Sequence, residues 1–238
     1  MDHVVDGSML AGARLFAGLD AAVRDEVAAA SHRVRLRAGE TMFEQEDAAE
    51  AFYVLITGRV KIAQLTVEGH LVVIRYISAG EVFGAVPLFT STGYPAGATV
   101  VVDSVAARWD QSATRRLLDR HPRIVANALT IVGARLQELQ NRYRELATER
   151  VEQRVARAIL RLLAKAGRPE GAAGQIPFPL SRQDIAEMTG TTLHTVSRIL
   201  SAWEQRGLID GGRMRVVIRE PGALLAIADD LRLPGPFT

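Results

Sequence analysis

The spacing of apolar residues changes along the chain, and each change marks a different kind of element. Leu10, Leu15, Phe16 and Leu19 come first, and the helix formers of Ala21–Ala30 follow; together they read as two short helices. From His32 to about Trp109 the period shortens. β-Branched or aromatic runs at Arg33–Leu36, Thr41–Phe43, Ala51–Thr57, Val60–Leu65, Leu71–Ser78, Val82–Phe83, Thr99–Val102 and Ser104–Trp109 alternate with glycine-marked turns. Many short strands at about 8–12-residue spacing predict a sandwich, barrel or roll. Gly58 and Gly69 are expected at tight connections that need positive φ.

Residues 121–165 return to a helical period. Val125, Leu129, Val132, Leu136, Leu139, Tyr143 and Leu146 are separated by alternating steps of 4 and 3, a heptad seam that Gly133 interrupts once. A helix packed only on its own domain shows a wider apolar face. The narrow stripe therefore favours pairing with the same helix of a second copy, with intramolecular packing as the alternative. Val151, Val155, Ile159, Leu160, Leu162 and Leu163 continue as a second, broader helix, and residues 167–174 read as a linker or surface loop.

The segment from Arg182 to Ser201 has the spacing of a helix-turn-helix. Ala186 is small where two helices cross, Gly190 suits the turn, and Val196 and Ile199, three apart, face inward with Leu200 and Trp203 extending that face. Ser181 can cap the first helix, and Thr191 or Thr192 the second. Thr192, His194, Thr195, Ser197 and Arg198 are left facing outward, short polar groups and one arginine, as groove and phosphate contacts require. Arg198 can pair with a guanine edge, Thr195 and Ser197 suit phosphate, and Arg182 suits the backbone beside the groove. Leu208–Ile218 reads as a hairpin with Asp210-Gly211-Gly212 as its turn, a wing whose Arg213 and Arg215 can touch phosphate.

Composition and charge fit this division. Residues 1–120 hold 12 Lys and Arg against 15 Asp and Glu, while residues 121–238 hold 17 against 12, so a weakly basic total hides an acidic front and a basic back. Basic surfaces attract phosphate backbones by releasing condensed counterions. The 238 residues include no cysteine, which excludes disulfides, thiolate zinc sites, cysteine-held iron–sulfur clusters and a cysteine nucleophile. No Gly-x-Ser-x-Gly, Gly-x-x-x-x-Gly-Lys or His-Glu-x-x-His occurs, so no enzyme signature competes with DNA binding. No apolar run reaches the roughly 20 residues of a membrane span, and Met1–Leu15 lacks the basic start of a signal peptide. A cytoplasmic protein with no membrane partner is the expectation.

Leu36-x-x-Gly39-Glu40, Tyr53-Val54-Leu55-x-x-Gly58-Arg59-Val60-Lys61, Gly80-Glu81-Val82-Phe83-Gly84, Ser181-Arg182-Gln183-Asp184-Ile185-Ala186 and Thr195-Val196-Ser197-Arg198 together resemble the Crp/Fnr superfamily of transcriptional regulators. The resemblance runs from about residue 10 to 220. It implies an α+β chain: an N-terminal antiparallel β-roll (a cyclic-nucleotide-binding-like double-stranded β-helix) over 1–120, a coiled-coil dimerisation helix over 121–148, and a winged helix-turn-helix over 149–238. It also implies a homodimer on an inverted-repeat operator of double-stranded DNA, with RNA polymerase as a further partner. A small effector would bind at the roll, around Phe83, Gly84, Ala85, Val86, Leu88, Tyr94, Pro95 and Ala96.

Departures from the family pattern narrow the signal. Cyclic-AMP binders of the family carry a Gly-Glu pair and later an Arg-Ser pair, where this chain has Gly84-Ala85 and Pro95-Ala96, with no charged residue between Glu81 and Asp103. A cyclic phosphate buried there would lack a cation, which argues against cyclic AMP. The missing cysteines remove the iron–sulfur branch. What remains is similar to the cysteine-free Dnr/NnrR-like regulators of denitrification, a resemblance that implies nitric oxide sensing through heme b. His3, His32, His70, His121 and His194 are the only imidazoles, and the sequence assigns none of them as a metal ligand. A cyclic-nucleotide-responsive or ligand-independent Crp-like regulator is the alternative. Many relatives carry glutamate where His194 stands, so the half-site preferred here is expected to differ at one base pair.

Overall fold

A computed structural model describes residues 4–85, 92–165 and 174–230. The chain divides into two compact units, residues 1–138 and 139–238.

In the first unit the segment expected as an opening helix forms only a 3-10 turn, Arg14–Phe16. Gly18 takes φ +73° just beyond it and breaks the period, while Leu10 and Phe16 still dock in the core. Helix α1, Ala21–Ala29, starts at Asp20, whose side chain accepts from the Val23 N–H at 2.9 Å. Strands β1 (His32–Leu36), β2 (Thr41–Phe43), β3 (Ala51–Leu65), β4 (Leu71–Ile77), β5 (Val82–Phe83) and β6 (Gly97–Asp110) form one antiparallel sheet in the order β1-β6-β3-β4, with β2 on β6 and β5 on β3.

Two pairs of expected strands are single strands. Ala51–Thr57 and Val60–Leu65 join in β3, and Thr99–Val102 and Ser104–Trp109 join in β6. Gly58 is therefore no hairpin turn but a bulge within β3, where the register against β6 shifts on both sides. Its φ is +100°, and a Cβ there would lie 2.0 Å from Ser104 Oγ. That hydroxyl accepts from the Arg59 N–H at 3.0 Å and donates to the Val102 carbonyl at 2.6 Å, replacing ladder bonds that the bulge removes. Gly69, by contrast, sits in the β3–β4 hairpin at φ +81°, as the sequence predicts.

The strands are apolar on both faces because each face meets a core. Phe52 and Val54 of β3 and Ala107 and Trp109 of β6 face a cluster containing Leu10, Phe16, Val27, Leu117, Ile124 and Ala128. Leu55, Val60, Val100 and Ala106 face the roll interior with Phe43, Phe83 and Tyr94. Trp109 is fully buried, stacks on Phe52 at 4.9 Å and donates its Nε1–H to the Val27 carbonyl. Helix α2, Gln111–Arg120, follows β6 directly and is capped by Asp110. The long helix α3, Pro122–Thr148, buries Ile124 and Ala128 in the first unit.

In the second unit, helix α4 (Val151–Lys165) packs on α5 (Arg182–Thr189) and α7 (Pro221–Ala228), and α5 packs on α6 (Leu193–Gln205). Strands β7 (Gly174–Gln175), β8 (Ile209–Gly212) and β9 (Arg215–Ile218) form a small antiparallel sheet in the order β7-β9-β8. The expected linker, apart from Gly174, lies outside the described residues. Among the described residues no helix is long and apolar enough to cross a membrane.

Candidate nucleic-acid interface and effector region

Local sequence rules build the helix-turn-helix. The Ser181 hydroxyl accepts from the Asp184 N–H at 2.9 Å while the Asp184 carboxylate accepts from the Ser181 N–H at 3.0 Å, a reciprocal capping box that starts α5. Gly190 ends α5 in the left-handed conformation, φ +62° and ψ +47°, and Thr191 N–H closes onto the Ala186 carbonyl. Thr192, rather than Thr191, caps α6, its hydroxyl accepting from the Thr195 N–H at 3.2 Å. Ala186, Val196, Leu200 and Trp203 are buried, with Ile199 half-buried at the edge. Trp203 donates its indole N–H to Glu152 of α4 at 2.8 Å, which anchors α6.

With one face sealed, α6 presents the other. Thr192, His194 and Arg198 are exposed, and Thr195 and Ser197 half-buried. Among the described residues no ion pair engages Arg198. Arg182 reaches α6: its Nη2 lies 2.9 Å from Glu204 Oε1, and its Nη1 lies 3.4 Å from the Ser197 carbonyl and from Ser201 Oγ. The wing turn is displaced from the expected Asp210-Gly211-Gly212. Gly212 pairs with Arg215, so Arg213 and Met214 make the connection, with Met214 at φ +60°. Gly211 serves packing instead: a Cβ on it would lie 1.8 Å from Glu204 Oε1. Arg213 is thus at the exposed tip, Arg215 is exposed beside it, and Arg219 pairs with Asp210 at 2.7 Å. The sequence reading passed over Leu193, an apolar side chain 47% exposed among the polar groups of α6. Its position in the first turn of the second helix was the available signal.

The heptad seam is open in the single chain. Leu129, Val132 and Leu136 in the first unit and Leu139, Tyr143 and Leu146 in the second are 53–76% exposed, with Val125 half-buried. The same helix turns a different stripe, Ile124, Ala128 and Ile131, into the first unit's core. Intramolecular packing and the seam therefore use separate faces.

The effector region brings Phe83 and Tyr94 together in an aromatic stack that the sequence did not foresee. Phe43 lies 3.8 Å from Tyr94 and 6.4 Å from Phe83 between ring centroids, and Tyr53 stacks on Phe83 at 5.2 Å. The Tyr94 hydroxyl donates to the Ala51 carbonyl at 2.7 Å and accepts from the Ala51 N–H at 3.3 Å. Burial pushes the phenol up to about 12, partly countered by its bond to Ala51. Gly84, at φ +66°, lies close beneath this stack; a Cβ would sit 3.3 Å from both Tyr53 and Tyr94. Ala85 packs on the other cluster, Pro95 is exposed, Ala96 is half-buried, and Val86 and Leu88 lie outside the described residues.

A charged group whose partners the sequence does not reveal sits just before this region. Glu81 Oε1 lies 2.5 Å from Arg135 Nη2 of α3 and 3.6 Å from Arg75 Nη1, while its Oε2 accepts from the Ser78 N–H at 2.8 Å. Burial works to raise Glu81, but the Ser78 bond, Arg75 and Arg135 together hold it below the usual carboxylate range. Arg135 also pairs with Glu138 at 2.9 Å. Among the described residues no imidazole lines the roll interior where it could hold a heme. His32 and His70 are exposed, His121 sits at the end of α2 with Glu26 at 3.4 Å, His194 is on α6, and His3 lies outside the described residues. The stacked rings belong to the described core of the roll interior.

Comparison with known proteins agrees with both halves of this description. Residues 33–121 match the cyclic nucleotide-binding domain family, and residues 153–227 match the Crp-like helix-turn-helix domain family. The CRP-like cAMP-activated global transcriptional regulator of Mycobacterium tuberculosis is 26% identical over 94% of this chain and 96% of its own. The nitrogen fixation regulation protein FixK of Bradyrhizobium diazoefficiens is 26% identical over 88% of this chain and 87% of its own. The solved structure of FixK2 from Bradyrhizobium japonicum superposes with a TM-score of 0.72 at 20% identity, covering 86% of this chain and 99% of that one. A roll of the cyclic nucleotide-binding type, a long helix and a Crp-like helix-turn-helix in one chain make this protein a member of the Crp/Fnr family of transcriptional regulators.

Proposed function

We propose that two copies of the chain pair along the α3 seam and that their α6 helices read an inverted-repeat operator in successive major grooves, with half-sites about one helical turn, roughly 34 Å, apart. The observation that carries this reading is the α6 face itself: Arg198 and His194 stand exposed on a helix whose opposite face is buried and whose first turn is capped. Arg198 supplies the bidentate guanine contact, Thr192, Thr195, Ser197 and Arg182 position the helix on the backbone, Ser181 and Thr191 border that surface, and Arg213 and Arg215 of the wing touch phosphate. RNA polymerase is the partner such a regulator engages at a promoter. Selection from random DNA followed by fluorescence anisotropy tests the reading. An enriched inverted repeat bound by a dimer is the expected result, and no enriched sequence would overturn it.

The roll carries the regulatory input in this proposal, and the Glu81–Arg135 pair supports it by joining the residue two positions before the effector region to α3. Cyclic AMP is not that input. Ala85 and Pro95-Ala96 stand where the resemblance places the glutamate and the Arg-Ser pair, and Tyr94 fills interior space beneath Phe43. Titration calorimetry with cyclic AMP is expected to show no binding. Nitric oxide sensing through heme finds no imidazole in the roll interior among the described residues; a Soret band in protein expressed with heme supply would restore it.

A further inference from the structure

Arg182 and Glu204 stand 22 positions apart in sequence, on different helices, yet their side chains meet at 2.9 Å. Both are about one-third exposed, so the pair lies at the surface rather than in the core. Two features mark it as more than a chance surface contact. The same guanidinium also points its Nη1 at the Ser197 carbonyl and Ser201 Oγ, at 3.4 Å each, on the turns of α6 next to Arg198. On the other side, Glu204 Oε1 occupies the space over Gly211 of the wing, where a Cβ would lie 1.8 Å from it and push the carboxylate aside. The Glu204 carboxylate thus meets the first residue of α5 and lies over the first wing strand, while the Arg182 guanidinium reaches back along α6.

We propose that Glu204 is a positioning residue for DNA binding: it holds Arg182 across α6 so that the remaining guanidinium donors face the phosphate beside the groove, and Gly211 is glycine to admit it. The inference rests on the DNA-binding reading above. An arginine has five N–H donors in a rigid fork. Anchoring two of its nitrogens on α6 fixes the plane of the others, and less side-chain entropy is lost when phosphate arrives. Without the carboxylate, Arg182 is a long mobile side chain, and its phosphate contact weakens.

The test is operator affinity as a function of salt for Glu204→Ala, Arg182→Ala and the double variant. Each phosphate contact contributes about 0.9 to the slope of log affinity against log salt, so a dimer that loses two contacts loses about 1.8. Arg182→Ala is expected to show that loss with roughly tenfold weaker binding, on the scale of charge-assisted contacts, Glu204→Ala a smaller loss in the same direction, and the double variant no more than Arg182→Ala alone. Glu204→Gln, whose amide oxygen still accepts from Arg182, should retain most of the slope. Gly211→Ala displaces the carboxylate by a separate route and should also lower the slope. An unchanged slope in Glu204→Ala, or an equal further loss when it is added to Arg182→Ala, would overturn the proposal. So would an unchanged slope in Arg182→Ala. In both cases the DNA-binding reading stands or falls separately, on the loss of specific binding in Arg198→Ala.

Discussion

Helix α6 and the interior of the β-roll use their side chains in opposite ways. On α6, Arg198, His194, Thr192 and Leu193 face solvent while Val196, Leu200 and Trp203 seal the back. In the roll, Phe43, Tyr53, Phe83 and Tyr94 stack in one cluster, and the Tyr94 phenol is bonded to Ala51 in both directions. One surface is complete only with a partner. The other is already satisfied by its own chain. The α3 seam resembles the first: its apolar residues are exposed although the helix has a separate buried stripe. Open and closed surfaces in one molecule predict different responses to mutation.

The largest response is expected at the seam. Leu136→Glu sets two carboxylates against each other in a paired α3 and leaves the folded units untouched, because Leu136 is exposed in the single chain. Sedimentation should show monomers with an unchanged circular dichroism spectrum, and operator binding should disappear. A stable dimer of this variant would mean that the exposed stripe is not the pairing surface.

Arg198→Ala comes next. A bidentate base contact is worth about 1–3 kcal/mol, and a dimer makes two, so specific affinity should fall roughly a thousandfold. The dimer and the unfolding temperature should not change, since Arg198 takes part in no ion pair among the described residues. Equal operator affinity would remove α6 from the reading role.

These two effects concern features that are readable in the sequence, and the reason is that each is local. The seam is a period, the α5 cap is Ser181 and Asp184 three residues apart, and Gly190 is a turn residue with a left-handed conformation. What the sequence conceals is fixed across long separations. Glu81 meets Arg135 54 positions away, and Tyr94 meets Ala51 43 positions away. Gly58 and Gly211 are both glycines of a kind that usually marks a turn, and each instead has another residue lying close over it, the distant Ser104 for Gly58 and the nearby Glu204 carboxylate for Gly211. The glycine signal is the same in both cases, and only the partner tells packing from turning. The opening segment was misread for a related reason: Gly18 ends a helical spacing whose apolar members are still required by the core.

The closed interior predicts a pH response rather than a binding response. Tyr94 ionises near 10 when unfolded and near 12 when folded, so the folded state favours the neutral phenol. Its contribution to stability is complete below pH 10 and is lost as pH rises from 10 to 12. Denaturant unfolding across that range should show falling stability in the native chain. Tyr94→Phe should lose this component and cost about 1 kcal/mol at neutral pH from the lost hydrogen bonds. If the variant instead shows the same alkaline slope, the phenol is not the group responsible, and the roll interior is more open than the stack implies.

The smallest effect returns to α6 and asks what the large apolar side chain exposed in its first turn is for. Leu193 is 47% exposed in the first turn, flanked by Thr192 and His194. The first turn of a recognition helix meets base edges, and the only apolar group on a major-groove edge is the thymine methyl. Burying one methyl is worth about 0.8 kcal/mol, or roughly fourfold per half-site. Replacing thymine by uracil, one position at a time, in the selected operator removes that methyl and nothing else. One position per half-site should lose this factor against the native protein and lose nothing against Leu193→Ala. A uniform tolerance of uracil would leave Leu193 outside the interface, and the reading face of α6 would then be polar throughout.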